Sequence, residues 1–482
     1  MRQIPKERFR LAQRPPEAEL TQPQRHGSDV FRRFRRNPSS VAAALVLLVL
    51  LLFALLTPLF SPYDVQFRDA HYKNLLPKCS PLSFLGWDGQ KRISGSQGAL
   101  DYYSGIGVEF GESAVKKIQS STDQQTGKHY TMQVDTYDMV GFVYLDVSRQ
   151  TYEDLRSYEE RTGYQVRYPL PRYFRTTFLA YPGGANLWYV LQDSSPASTG
   201  ESAYHDLQGQ PIFVPDYLLD DRGQPVYAVE NQTGYRIRVL YRQYYHYVHG
   251  FYPNHLFGTD QHGQDILVNL ASGARLSFLL ALSVSVINFA IGILYGAVEG
   301  YYGGKVDLAM ERVADILSAV PFIVVATLFQ LHLAQRAGAV LSLLFAFVAT
   351  GWIGIASRVR AQFYRFKGAE YVLAARTLGA GDGRLILRHI LPNALGTVIT
   401  GTILLIPGVI FSESMLSYLG IVNLEASGFT SIGTMLAGGR AYLGTYPHIL
   451  LFPAVLIALL EISFNLLGNG LRDALNPHLR KD

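Results

Sequence analysis

A single cysteine, Cys79, occurs among 482 residues. No intrachain disulfide can form, so any part of the chain in an oxidising compartment must be held together by packing. A phosphate-binding loop is also missing: no G-x-x-x-x-G-K-[ST] occurs, and the nearest fragments, Gly127-Lys128 and Gly304-Lys305, lack the loop and the hydroxyl. The chain is therefore not expected to hydrolyse a nucleotide, to hold a cofactor or to be an enzyme by itself. There is no nucleophile elbow and no Cys/His framework. Asp260, His262 and Asp265 stand close together, but the glycines among them read as a tight turn rather than a metal site. Charge is absent from residues 41–60 (VAAALVLLVLLLFALLTPLF), a run long enough to cross about 30 Å of hydrocarbon at about 1.5 Å per residue. The tail before it is too long for the basic region of a cleaved leader, and no A-x-A site follows, so an anchored first helix is expected.

What is present is segregated. Hydrophobic residues make up 48% of the chain, yet mean hydropathy is only +0.09, which implies membrane and soluble parts side by side. Five more apolar stretches lie near 277–298, 313–333, 339–357, 394–414 and 448–468, giving six expected spans. Arg32, Arg33, Arg35 and Arg36 cluster just before the first. Such a cluster also suits a nucleic-acid arm or a lipid head-group patch, but its position favours orientation by the positive-inside rule, with no nucleic-acid partner. Both termini are then cytoplasmic, together with Lys305, Arg312, Arg472, Arg480 and Lys481, while the short outside connections hold little beyond Arg336 and Arg440. Pro321 and Pro407 fall inside expected spans, where each can free a carbonyl and bend its helix.

Residues 62–256 do not look membrane-like. They hold 23 of the 31 tyrosines and 18 Lys/Arg against 21 Asp/Glu, so the net positive charge comes from the rest of the chain. The block is large enough for its own core, lies outside the cytoplasm by the same topology, and reads as α+β. A strand is expected at 139–147, a capped helix from Ser148 to Arg161 ending near Gly163, and a strand at 164–169. Strands at 211–218 and 225–229 flank the turn Asp221-Arg-Gly-Gln-Pro225, and 235–249 alternates as an exposed strand would. Tyrosine suits ligand contact as well as packing; a scaffold or a docking role is the alternative to ligand binding.

The most informative stretch is Glu370-Tyr-Val-Leu-Ala-Ala-Arg-Thr-Leu-Gly-Ala-Gly-Asp-Gly-Arg-Leu-Ile-Leu-Arg-His-Ile-Leu-Pro-Asn393, polar between apolar spans. Good helix formers run from Glu370 to Leu378. Gly379 and Gly381 interrupt them, and Asp382 can cap a second helix reaching His389 before Pro392 ends it. Ala374 and Ala375 let a partner approach the backbone, and Arg376, Arg384 and Arg388 keep the unit in water or against an acidic surface rather than in lipid. This pattern resembles the EAA loop of ABC-importer permeases, with Ala374, Ala375, Gly379, Leu391 and Pro392 matching. Leu373 holds the usual place of the glutamate, and Glu370 lies one turn earlier, as in the peptide-importer branch.

Two further segments carry the same resemblance. Leu256-Phe-Gly-Thr-Asp-Gln-His-Gly-Gln-Asp265 followed by Gly273-Ala-Arg-Leu-Ser277 is similar to the outside elbow of the oligopeptide/dipeptide/nickel permeases, through Gly258, Thr259, Asp260, Gly263, Asp265, Gly273, Arg275 and Ser277. Gln264 replaces the usual arginine. Phe464 to Pro477 resembles the C-terminal signature of that branch, with Asn469 and Asn476 where aspartates are common.

The resemblance covers about 1–62 and 256–482 and implies a C-type permease subunit. Its fold would be an α-helical membrane protein with six transmembrane helices of the type I ABC importer kind; the α+β extracytoplasmic insert expected between helices 1 and 2 departs from the short connection that most members have. The implied divisions are a basic tail (1–40), a first helix (41–61), the insert (62–256) and a core (257–482) with a coupling loop at 366–393. The implied partners are a second homologous permease, two ABC ATPases that bind ATP and magnesium, an extracytoplasmic substrate-binding protein and membrane lipid. Coupling would fall to Glu370, Ala374, Ala375, Arg376, Gly379, Asp382, Leu391 and Pro392.

Polar residues within the expected spans are few. Glu461 and Asn465, four apart near the cytoplasmic third of the last span, and Glu413, at the outer end of the fifth, are candidates for a pathway or gate. The family commonly has an apolar residue at the Glu461 position. An ion-coupled secondary transporter using Glu413 and Glu461, or an anchored receptor sensing through its tyrosine-rich domain, remain alternatives. The first lacks inverted repeats, and the second leaves 370–392 without a purpose.

Overall fold

The computed structural model describes residues 32–106, 113–123, 127–172, 184–186, 189–191, 213–215 and 217–475. Asn476, Pro477, Arg480 and Lys481 lie outside the described residues. The chain divides into two compact units, Met1–Leu55 with Gly273–Thr434 and Ala454–Asp482, and Leu56–Ser272 with Met435–Pro453.

The first unit is helical. Among the described residues, four helices are long and apolar enough to cross a membrane: Pro38–Phe60, Ile266–Tyr302, Ala339–Phe366 and His448–Ala474. Gly304–Ser318 and Phe322–Ala337 qualify only as a pair, bent by 74° where Pro321 opens the second helix. The kink expected at this proline is present, because its ring leaves no amide to continue the hydrogen-bond ladder. The fifth expected span, 394–414, departs from expectation. It comprises helices Leu391–Thr402 and Leu405–Tyr418, separated at residues 403–404. Each measures only about 20 Å at 1.5 Å per residue, and Pro407 sits in the first turn of the second. The described spans therefore number four or five.

Glycine sets the closest packing here. A Cβ on Gly292 would lie 2.6 Å from Ile355 Cβ, one on Gly296 2.2 Å from the Ala356 carbonyl oxygen, and one on Gly300 2.6 Å from Phe363 Cβ. This small-xxx-small stripe lets the helix Ile266–Tyr302 lie directly on Ile353–Phe366, as membrane helices do where dispersion replaces a hydrophobic drive. Ala297, Val359, Phe363, Val372, Leu385 and Ile390 form the core around that contact.

The second unit is α+β. Strands β1 (Gln90–Ser96), β2 (Val115–Asp123) and β3 (Gly127–Asp135) form an antiparallel sheet in the order β1-β3-β2. Strands β4 (Phe142–Val147), β5 (Arg167–Tyr168), β8 (Ala228–Glu230) and β9 (Tyr235–Leu240) form a second sheet, with β9 paired to the other three. Strands β6 (Tyr189–Leu191) and β7 (Phe213–Pro215) pair with each other. The expected strand at 139–147 begins at Phe142, after a 3-10 turn. The helix expected after Ser148 is Arg149–Thr162: the Ser148 hydroxyl accepts from the Thr151 amide, and Gly163 closes it at φ 69°. The expected strand at 164–169 shortens to β5. Of the expected strand at 211–218, residues 211, 212 and 216 lie outside the described residues, and β7 does not pair with 225–229. The turn between them is closed by Asp220, whose carboxylate accepts from the Arg222 and Gln224 amides.

Residues 235–249 do not form one exposed strand. Only Tyr235–Leu240 is a strand, and Tyr241–His249 is a helix. Tyr241, Tyr244, Tyr245 and Val248 recur at helical spacing, and Tyr241 and Tyr245 are buried. Nor is β9 exposed, since both its faces meet a core. Ile237 and Val239 join Tyr72, Leu75, Leu155 and Tyr245 on one side, and Leu240 joins Met132, Val134, Phe142 and Tyr168 on the other. Fully buried Arg238 donates to the carbonyls of Ala185 and Pro169, with its guanidinium 3.9 Å from the centroid of the Phe142 ring. Charge at alternate positions had suggested a solvated face, but this arginine is the filling of a two-sided core.

Candidate functional site

The polar segment after the 353–366 helix folds back on the helical unit as two turns of opposite use. Glu370–Thr377 is a helix that buries Val372 and half-buries Ala375 against the core. Its outer face presents Tyr371, Leu373, Ala374 and Arg376, continued by Leu378, which is 89% exposed. Gly379 turns the chain at φ 83° with nothing within 4 Å of an added Cβ, so its role is conformation, not space. Its amide closes on the Arg376 carbonyl, and the Ala380 amide on that of Ala375.

The second helix starts differently from expectation. Gly381 takes the cap position, leaving the Asp382 carboxylate to accept from the Tyr301 hydroxyl at 2.5 Å, while Arg376 donates to the same hydroxyl at 3.3 Å. Leu385–Ile390 is π-helical and runs directly into Leu391–Thr402. Pro392 therefore does not end a helix. It occupies a first turn, where no amide donor is needed, and is exposed, whereas Leu391 is half-buried. Asn393 ties the two arms together, donating to the Tyr371 hydroxyl at 3.1 Å and the His389 carbonyl at 2.8 Å. The result is a braced knob whose small and apolar outer residues have no cover within the unit.

A charge cluster that sequence reasoning missed stands beside it. Arg360 meets Asp307 at 2.6 and 2.9 Å and Glu311 at 2.8 and 3.1 Å, with Glu299 at 3.6 Å; Tyr364 donates to Asp307 at 2.7 Å. One guanidinium thus joins the helices 266–302, 304–318 and 353–366. The available signal was the four charges flanking apolar runs, but only the fold reveals that they converge.

Glu413 is 1% exposed and accepts from four hydroxyls: Ser431 at 2.6 Å, Ser417 at 3.0 Å, Ser277 at 3.2 Å and Ser414 at 3.4 Å. Serine donors from three segments replace a counter-ion and satisfy the carboxylate inside the helical unit. Glu461 and Asn465 do not join it. Glu461 lies midway along His448–Leu475 instead of toward one end, half-exposed, and Asn465 is exposed and donates to the Glu461 carbonyl at 2.8 Å.

Residues 256–265 belong to the second unit and are a tight turn, as the glycines imply. Thr259 donates to the Tyr72 carbonyl at 2.6 Å and accepts from the Leu75 amide at 2.9 Å. Asp260 accepts from the His262 and Gln264 amides, Asp265 caps the helix through the Val268 amide, and its other oxygen meets His255 Nδ1 at 2.8 Å. Gly258 (φ 78°) and Gly263 (φ 77°) leave no room for a side chain; a Cβ on Gly263 would lie 1.9 Å from the Asp69 carbonyl oxygen. Where an arginine is usual, Gln264 donates to the Val65 carbonyl at 2.9 Å. Beside the turn, Tyr63 stacks on His255 at 4.3 Å, and burial raises its phenol to about 12. The Lys78 amide bonds the His255 carbonyl at 3.0 Å, so the stretch between these two residues leaves and rejoins the turn at neighbouring points. Among the described residues there is no cluster of His, Cys, Asp and Glu able to hold a metal ion.

Residues 288–481 match the family model "Binding-protein-dependent transport system inner membrane component", and residues 27–77 match "N-terminal TM domain of oligopeptide transport permease C". The oligopeptide transport system permease protein OppC of Bacillus subtilis is 42% identical over 228 residues, covering 47% of this chain and 73% of that protein. Its dipeptide counterpart DppC from the same organism is 39% identical over 229 residues, 47% of this chain and 70% of that protein. OppC of Haemophilus influenzae is 42% identical over 224 residues, 46% and 70% of the two chains. The braced turn at 370–393 lies within the matched residues 288–481, and the chain belongs to the oligopeptide and dipeptide permease family of ABC transporters.

Proposed function

We propose that the chain is the translocation subunit of an ATP-driven importer of oligopeptides or dipeptides, working by alternating access. The observation that carries the mechanism is the braced knob at 370–393. Its inner face is locked to the helices by Val372 and Tyr301, Asn393 clamps its two arms together, and Leu373, Ala374 and Leu378 are left uncovered in a segment too polar for lipid. An ATPase seated on that face would pass its movement rigidly to Leu391–Thr402 through the π-helical turn. ATP and magnesium would sit in two separate ATPase subunits, and a second permease and an extracytoplasmic binding protein would complete the path.

In this reading both termini are cytoplasmic, and helices Leu391–Thr402 and Leu405–Tyr418 together make a sixth, broken crossing. The block bounded by Lys78 and His255 is an extracytoplasmic insertion that leaves the elbow intact. Glu461 and Asn465 face the path or the second permease, because an uncovered carboxylate at mid-helix costs about 3 kcal/mol in lipid. Glu413 is a gate latch, holding Ser431 and the following helix Ile432–Gly439 to Ser277.

The test is ATP-driven uptake of a labelled peptide into proteoliposomes holding the complete complex. Ala374→Trp should abolish uptake while the variant still assembles in the membrane; Ala375→Asp, at the half-buried position, should reduce folded protein as well. Normal uptake by Ala374→Trp would rule out docking at this face.

A further inference from the structure

The elbow motif leaves one residue unexplained. Gly273 is needed because a Cβ there would lie 2.9 Å from the Ser431 carbonyl carbon, and Ser277 holds Glu413. Arg275 stands between them, half-buried, and makes no hydrogen bond, ion pair or ring contact among the described residues. It borders a cavity of about 400 Å³ in the helical unit, lined otherwise by apolar residues that include Leu47, Leu51, Leu55, Leu279, Leu282 and Phe464.

The placement of these residues along their helices is ordered. Leu55 lies near the end of the helix 38–60, and Arg275 stands two residues before the expected span 277–298 within the helix 266–302; the two helices run in opposite directions in the proposed topology. Leu47 and Leu282 lie about 10 Å deeper at 1.5 Å per residue. The cavity therefore runs from a lone guanidinium at the membrane boundary toward the bilayer centre, walled by apolar side chains. A guanidinium matches a phosphate diester in charge and geometry, and the slot below it suits an acyl chain.

We propose that Arg275 and this cavity form a binding site for one anionic phospholipid of the outer leaflet, with its phosphate on Arg275 and an acyl chain along Leu47–Leu55. Such a lipid would fasten the first helix to the rest of the helical unit. The inference rests on the membrane topology proposed above.

The full chain, purified in mild detergent, would be placed in phosphatidylcholine nanodiscs containing a minority of phosphatidylglycerol, and native mass spectrometry would count the retained phosphatidylglycerol. Wild type is expected to keep one molecule. Arg275→Gln should lower retention about tenfold, the effect of losing a charged hydrogen bond of about 1.5 kcal/mol. Leu51→Trp, which fills the slot and spares the guanidinium, should lower it as well, and Arg336→Gln should not. Equal retention by Arg275→Gln and wild type, or equal loss in Arg275→Gln and Arg336→Gln, would overturn the site. So would cross-linking of Leu51→Cys to another polypeptide in native membranes. Unchanged lipid retention with intact ATP-driven uptake in Arg275→Gln would remove the lipid site and leave the permease reading standing.

Discussion

Two glycines with the same backbone angle should respond differently to the same change. Gly263 and Gly379 both have positive φ, near 80°, which costs an alanine about 1 kcal/mol. At Gly379 the added methyl meets open space, whereas at Gly263 it meets the Asp69 carbonyl oxygen. Gly379→Ala should therefore lower the melting temperature by a few degrees at most, and Gly263→Ala by several times as much; equal shifts would mean that the elbow is looser than the structure shows. Arg360 allows a second test at this scale. Arg360→Met removes the guanidinium that Asp307, Glu311 and Glu299 share and should cost about 3 kcal/mol, because Glu299 and Asp307, the two that are largely buried, lose that partner. Asp307→Asn should cost less, and a calorimetric scan of the purified protein separates the two.

At the scale of elements, the tyrosine-rich helix Tyr241–His249 carries a pH dependence. His71 lies 4.5 Å from the Tyr241 ring, and His249 4.2 Å from the Tyr245 ring and 5.3 Å from Phe67. Burial, the largest influence, holds both imidazoles below their ordinary value; the Asp69 carboxylate opposes it at both, and Lys73 adds to it at His71. The folded unit thus binds fewer protons than the unfolded chain, whose histidines titrate near about 6.5. Stability should be complete above that value and fall as pH drops through it. Near-ultraviolet dichroism of the tyrosines should show earlier melting at pH ~5.5 than at pH ~7.5, less so in His249→Gln. A melting temperature flat across this range would show that neither imidazole is buried as described.

The same elements show what a sequence does and does not reveal. The helix Arg149–Thr162 was legible because its cap and stop are local: Ser148 and Gly163 act on their own neighbours. So was the bend at Pro321, where a missing amide is a property of one residue. Strand β9 was not legible, since its two-sided burial depends largely on β4, β5 and core residues 50 or more positions away, and Arg238 reads as solvated until both cores are seen around it. The polar turn at 370–393 was located by composition and glycine spacing. Which alanine faces outward depended on Val372 finding the core, and the Arg360 cluster depended on three helices converging.

Across the whole molecule, one family scaffold carries two layers of constraint. The helical unit holds the glycine stripe, the Arg360 junction and the exposed knob at 370–393. The second unit keeps the elbow, with Thr259, Asp260 and Asp265 all engaged, while a large tyrosine-packed block departs at Lys78 and returns at His255. Removing the block by joining residues 78 and 255 through a short Gly/Ser linker should leave a membrane protein that still assembles with its ATPases. Loss of assembly in that deletion would give the block a part in the scaffold itself.

The proposed drive comes from ATPases that this chain does not contain. Its most direct test is affinity purification of the tagged chain from its native membrane, with subunit masses read by native mass spectrometry and transport assayed after reconstitution. The expected result is a complex containing two ATPase subunits and a second permease, with uptake that requires ATP and is lost in Ala374→Trp. A chain that purifies alone and moves solute down an ion gradient without ATP would contradict the account.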